Sequence, residues 1–335
     1  MAILKSLKIT TKTPIEELSG ISAKTKIFIK RDDLNGLLIS GNKARKLEYL
    51  IADAKNKKCD TIITCGPVQS NHCRTTAAFA QIFGFECHLL LRRAPHPIPP
   101  PQVGRDKGRG IEEITGNLLL DTLLGARIKH ITPEEYQNRM TVMADYAKGL
   151  KGKRSYIIPE GGSNEIGALG YISCMGEMAN FIRKNNIEAV YCAVGSGGTY
   201  AGLLLGKKMF KLNIDLNGVI ICDTVEYFTA KILEICNNAI TRFRIRATIH
   251  EHEINLIDGF VGAGYGIPYP EELQTIKNIA KLGIILEPVY TGKAFYGMLA
   301  HLKEHHYKKV IFIHTGGIFS IFAYSKDLIG ESLSN

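Results

Sequence analysis

The chain has 335 residues, 45 % hydrophobic and 22 % charged, which allows two domains or one large α/β unit and excludes a disordered chain. A net charge of +10 suits an anionic ligand, but no basic run interleaved with aromatics and no zinc-finger spacing supports nucleic acid or a metal site. No apolar stretch approaches a membrane span, and eight cysteines without a C-x-x-C pair, together with an N-terminus lacking a secretory pattern, point to free thiols in a reducing cytoplasm.

Residues 40–48 read Ser-Gly-Asn-Lys-Ala-Arg-Lys-Leu-Glu. Leu47, Leu50, Ile51 and Ala54 follow at helical spacing, so Lys43 sits at a helix start just after a glycine turn. The positive end of the macrodipole disfavours a cation there, and a neutral amine attacks a carbonyl where an ammonium does not. A solvated lysine is the plain alternative.

Strand-like and helix-like segments then alternate. A β-branched run at 61–65 ends in Gly66, alanines recur at helical spacing over 71–83, and 87–91 is apolar. The basic, proline-rich stretch 92–109 reads as a loop. A short strand at 127–131 precedes a helix over 133–150, opened by Thr132 as cap and Pro133 in the first turn. A strand at 156–158, a helix over 164–183, a strand at 189–194 and a helix over 199–210 follow. A strand at 219–222 starts a further unit, and 270–282, 292–303 and 309–314 finish as helix, helix and strand. This order predicts an α/β fold, with parallel sheets and helices on both faces.

Three strand–glycine–helix turns carry chemistry. At 64–74, Gln69, Ser70 and Asn71 follow Gly66; Ser70 or Asn71 caps the helix, or the free N–H groups and the hydroxyl receive a carboxylate. At 189–202, Gly195, Ser196, Gly197, Gly198 and Thr199 form a phosphate cradle. Its spacing is neither G-x-G-x-x-G nor a Walker A loop, which leaves a dinucleotide site as a weaker rival, with Asp223 as the candidate ribose acid. At 312–317, Phe-Ile-His-Thr-Gly-Gly is again a strand running into glycines. Tyr265 and Tyr290 lie in loops, where hydroxyls serve packing or proton transfer. A reactive lysine, a phosphate cradle and a strand-end Thr-Gly-Gly together suit pyridoxal 5′-phosphate (PLP).

The sequence resembles the D-cysteine desulfhydrase and 1-aminocyclopropane-1-carboxylate (ACC) deaminase family. The resemblance rests on Lys-Arg-Asp-Asp-Leu at 30–34, the 40–48 run, Gln-Ser-Asn-His at 69–72, and Gly-Asn-Leu-Leu-Leu-Asp at 116–121. It continues through Pro-Glu-Gly-Gly-Ser-Asn at 159–164, Gly-Ser-Gly-Gly-Thr at 195–199, Pro-Val-Tyr-Thr-Gly-Lys at 288–293 and His-Thr-Gly-Gly at 314–317. It implies a two-domain, tryptophan synthase β-like fold (fold type II), with a large cofactor domain at 1–45 and 157–335 and a small domain inserted at 46–156. By the same resemblance Lys43 is the Schiff-base lysine and Lys46 a decoy. Asn71 contacts the ring hydroxyl, and Gln69 and Ser70 receive the substrate carboxylate. Residues 195–199 hold the phosphate, and Tyr265 and Tyr290 stand near the substrate.

The ACC deaminases of that family carry a glutamate after the motif tyrosine and a leucine before the late Gly-Gly. Thr291 and Thr315 occupy those positions here, as in the desulfhydrase branch, where the late threonine faces the ring nitrogen. The expectation is therefore β-elimination from D-cysteine by a cytoplasmic homodimer that binds neither nucleic acid nor membrane. ACC deamination, action on another small amino acid such as D-serine, PLP binding without turnover and a nicotinamide-dependent dehydrogenase stand as alternatives. One departure is the long basic stretch at 95–109, where the family has a short connection.

Overall fold

The computed structural model describes residues 6–92 and 114–330; the stretch read as a basic loop, 92–109, lies outside it except for Arg92. The strands are β1 (Ile15–Leu18), β2 (Lys26–Arg31), β3 (Thr61–Pro67), β4 (Glu86–Arg92), β5 (Arg127–Ile131), β6 (Ser155–Ile157), β7 (Ala189–Val194), β8 (Asp215–Ile220), β9 (Asn255–Ile257) and β10 (Lys309–His314). The helices are α1 (Asn42–Asn56), α2 (Asn71–Phe83), α3 (Gly116–Leu123), α4 (Pro133–Gln137), α5 (Arg139–Gly149), α6 (Glu165–Asn185), α7 (Gly198–Met209), α8 (Val225–Phe243), α9 (Pro270–Ala280), α10 (Thr291–Glu304) and α11 (Ser325–Ile329).

The strands make two sheets. One has six strands in the order β1-β2-β10-β7-β8-β9, the other four in the order β5-β4-β3-β6. Every pairing is parallel except β1 with β2, an antiparallel pair at the edge. Parallel strands covered by helices on both faces read as continuous apolar runs. Accordingly, Ala-Val-Tyr-Cys-Ala-Val of β7 is buried at all six positions.

The predicted helix over 133–150 is two helices, α4 and α5, broken at Asn138 (φ −102°, ψ 27°). Thr132 caps α4 in a reciprocal box with Glu135. The strand expected at 219–222 runs instead from Asp215 to Ile220. Its polar Asn217 is fully buried, and Asn255 of the neighbouring strand hydrogen-bonds to it.

The sheet topology places the site. β7 and β10 are parallel neighbours, so the turns following Val194 and His314 emerge at the same, carboxyl end of the six-stranded sheet. The start of α1 is stitched to that end: the Asn42 N–H donates to the Thr315 carbonyl over 3.0 Å. Gly41 precedes it at φ +84°, and a Cβ there would lie 2.4 Å from the Thr315 oxygen. Only glycine permits this approach.

Under α1 lies a buried ionic cluster. Arg45 reaches Asp32 through Nε at 2.9 Å and Nη2 at 2.8 Å, and Asp32 also accepts from Thr13 and Tyr171. Burial alone would push the Asp32 carboxyl up, but Arg45 reverses that and holds it below the usual carboxylate range. Asp32 of the Lys-Arg-Asp-Asp run thus anchors, through Arg45, the helix that carries Lys43. A domain division at 45/46 would fall within α1 and one at 156/157 within β6, while β3, β4 and β5 of the 46–156 segment make the smaller sheet with β6.

Candidate active site

The cavity at this sheet end has an empty volume of about 520 Å³, which includes space open to solvent. Lys43, Asn71, Ser196, Tyr290 and Thr315 line it, together with Gly195, Gly197, Gly316 and Gly317.

Lys43 is 8 % exposed. Burial pulls its ammonium down to about 8, against the pull of the Glu160 carboxylate. Its Nζ lies 3.2 Å from where a Cβ on Gly161 would stand, and that Cβ would also come within 2.5 Å of Ser196 Oγ. Lys46, one turn on, is fully buried and engaged: its Nζ donates to the Gly161 carbonyl at 3.2 Å and to Ser163 Oγ at 3.0 Å. Ser163 in turn meets Ser196 at 2.8 Å. Lys46 therefore braces the 161–163 turn against the glycine loop, whereas among the described residues no hydrogen bond holds the Lys43 amine.

The 195–199 segment runs from β7 into α7. Gly197, at φ +76°, precedes a helix that has no side-chain cap, so the first-turn N–H groups of α7 are left for a ligand. Gly195, Ser196, Gly197 and Thr199 line the cavity. Gly198 faces the other way, where a Cβ would meet Ser163 at 2.6 Å. Asn42 Nδ2 donates to Thr199 Oγ1 at 3.1 Å, tying the lysine helix to the loop.

The 66–71 turn is built differently. Ser70 Oγ accepts from the Cys73 N–H at 3.2 Å, which makes it the cap of α2. Gln69 donates to the Thr115 carbonyl and accepts from the Asn117 N–H, so its amide is spent on the start of α3. Asn71 lines the cavity; Gln69 and Ser70 do not. Asn117, Gly161 and Ser163 stand within the family motifs at 116–121 and 159–164, but the sequence assigns them no role. Their signal is buried polarity satisfied far along the chain, which one sequence does not display.

On the opposite wall, the hydroxyls of Tyr265 and Tyr290 are 2.5 Å apart. Tyr290 lines the cavity and Tyr265 stands behind it. Burial pushes both phenols well up, so each remains a proton donor at neutral pH. Lys293 supports the Tyr265 loop. It is fully buried, and its Nζ donates to the carbonyls of Val261 at 2.5 Å and Gly264 at 2.9 Å. Thr315 lines the cavity, whereas the Thr291 hydroxyl accepts from the Glu287 N–H. The Glu287 carboxylate is also engaged, by the N–H groups of Val289, Tyr290 and Thr291 and by Ser320.

An unbonded buried amine, an uncapped helix start and a strand-end threonine thus surround one cavity, and side chains are missing where a Cβ would fill it. The residues fit a phosphorylated pyridine aldehyde. Residues 7–316 match the family model described as "Pyridoxal-phosphate dependent enzyme". The chain is 37 % identical over 319 residues to a D-cysteine desulfhydrase of Yersinia enterocolitica, covering 93 % of each chain. It is 34 % identical to the bifunctional, mitochondrial D-cysteine desulfhydrase/ACC deaminase of Arabidopsis thaliana, over 92 % of this chain and 77 % of that one. A crystal structure of an ACC deaminase homologue superposes with a TM-score of 0.86 at 36 % identity, over 98 % of this chain and 96 % of the other. The chain belongs to the pyridoxal-phosphate dependent enzymes, in the family shared by D-cysteine desulfhydrases and ACC deaminases.

Proposed function

We propose that the protein is a D-cysteine desulfhydrase, which converts D-cysteine and water to hydrogen sulfide, ammonia and pyruvate. The observation that carries this reading is the cavity wall at the end of β10. Thr315 lines the cavity there, while the Glu287 carboxylate, which a Cβ on Gly317 would meet, is spent on backbone N–H groups. A carboxylate at the ring nitrogen would favour a strong electron sink, as opening a cyclopropane demands; a hydroxyl suffices when thiolate is the leaving group.

Lys43 would hold the cofactor, residues 195–199 its phosphate, Asn71 its ring hydroxyl and Thr315 its ring nitrogen. PLP supplies the electron sink that makes the Cα proton of an amino acid acidic. The amine of Lys43, largely deprotonated above pH 8, takes that proton. Ser70 lies outside the cavity lining but keeps its own O–H after capping α2, and we assign it to a substrate carboxylate held by the first-turn N–H groups of that helix. Gln69 contributes by fixing the turn, since its amide is already bonded to α3. The Tyr290 hydroxyl, backed by Tyr265, donates a proton to the departing sulfur.

The purified protein should release sulfide and pyruvate from D-cysteine, and neither from L-cysteine nor ammonia from ACC. Turnover of ACC without sulfide release from D-cysteine would overturn the substrate and keep the fold. We further place the enzyme in the cytoplasm as a homodimer. All eight cysteines are free, and no helix among the described residues is long and apolar enough to cross a membrane. Sedimentation of the purified chain as a monomer would contradict the dimer.

A further inference from the structure

The 116–121 motif enters none of the proposed steps, yet its second residue, Asn117, is fully buried and bonded to Gln69, Asn71 and Arg74. Asn117 Oδ1 accepts from Arg74 Nε at 3.2 Å, and its Nδ2 donates both to the Gln69 carbonyl and to Asn71 Oδ1, each at 2.9 Å. The polarity of this chain is chemically forced. A guanidinium only donates and a backbone carbonyl only accepts, so Asn117 has one permitted orientation. Its Nδ2 must then meet the oxygen of Asn71, which leaves the Asn71 amide nitrogen for the cavity. That nitrogen lies 3.1 Å from where a Cβ on Gly317 would be, and Gly317 lines the cavity.

We propose that Arg74 and Asn117 are positioning residues that set the polarity of Asn71, presenting an N–H donor rather than a carbonyl to the cofactor's ring oxygen. The inference rests on the placement of Asn71 at that oxygen. A donor stabilises the ionised ring oxygen, and an acceptor stabilises its protonated form. Arg74 is suited to act as the fixed end. It is 1 % exposed, and its second anchor is the Leu38 carbonyl, to which Nη1 donates. An amide left without these partners would flip at little cost, and with it the sign of the contact.

The test reads ionisation rather than turnover. Pyridoxine 5′-phosphate, which has the ring hydroxyl and phosphate but no aldehyde, is bound to the full-length protein, and its ultraviolet spectrum is titrated with pH. In Asn117→Asp the new carboxylate still accepts from Arg74 but donates nothing to Asn71. The Asn71 amide then turns its nitrogen to Asp and its oxygen to the ligand. The ring hydroxyl's midpoint should rise by about one pH unit or more, a tenfold change in its ionisation constant. Asn117→Leu, which only releases Asn71, should raise it by less and keeps the test open if the Asp variant does not fold. Midpoints equal to wild type in the folded, ligand-bound variants would overturn the relay. Asn71→Ala separates the two claims. If it raises the midpoint and Asn117→Asp does not, the relay alone fails. If it too leaves the midpoint unchanged, Asn71 does not face the ring oxygen.

Discussion

The 66–71 and 195–199 turns look alike in sequence: a buried strand, glycine, a serine, then a helix. They do opposite things with their polar groups. At 195–199 no side chain caps α7, and Ser196 and Thr199 line the cavity. At 66–71 Ser70 turns back to cap α2, and Gln69 caps α3, an element 46 to 48 residues further on. The lesson is that a loop's motif states which groups it owns, while the third element packed on it decides where they point.

The sharpest way to break the first turn is through the amine beside it. A cation whose pKa is lowered by folding leaves the unfolded chain holding more protons between pH 8 and 10.5, so stability rises with pH through that window. Below pH 8 the full cost of burying the charge is present. Lys43→Met should stabilise the cofactor-free protein by about 3 kcal/mol at pH 7, and the gain should fade by pH 10.5. Denaturant melts at the two pH values measure it. A smaller effect is expected from Gly161→Ala. Gly161 sits at φ +65°, and its Cβ would crowd Ser196 and Lys43. Cofactor affinity should fall about tenfold or more while the fold persists, which a cofactor titration with circular dichroism would show.

The second turn is tested by what it leaves unchanged. Gln69→Ala deprives the Asn117 N–H of its acceptor and should cost about 1–2 kcal/mol of stability. Because both ends of the Gln69 amide are spent on Thr115 and Asn117, KM for D-cysteine should stay within about twofold once the protein is folded. A large KM effect would return its amide to the substrate. Ser70→Gly is the mildest structurally, a few tenths of a kcal/mol, because glycine still caps helices. KM should nonetheless rise if the hydroxyl receives the carboxylate, and an unchanged KM would leave Ser70 a cap alone.

Much of the scaffold was legible. The bounds of α2, β5, β7 and β10 agree with the pattern of apolar runs and glycine stops. Two departures have local causes. The periodicity over 133–150 carries no mark of the break at Asn138, and β8 begins with residues too polar to read as strand, because Asn217 is buried against another asparagine. In the site, Lys43, Asn71, Tyr290 and Thr315 stand in strong local motifs and line the cavity. Lys46, Asn117, Ser163 and Lys293 act through partners 29 to 117 residues away. Long-range hydrogen bonds of that kind follow from topology, and no spacing rule announces them.

The assignment of Lys43 is the claim on which the others depend, because Lys46 lies one turn away and is also buried. Reduction of the cofactor-loaded protein with borohydride, followed by digestion and mass spectrometry, locates the modified lysine directly. The account predicts phosphopyridoxyl on Lys43 alone, since Lys46 is held by Gly161 and Ser163. The label on Lys46, or on any other lysine, would contradict it.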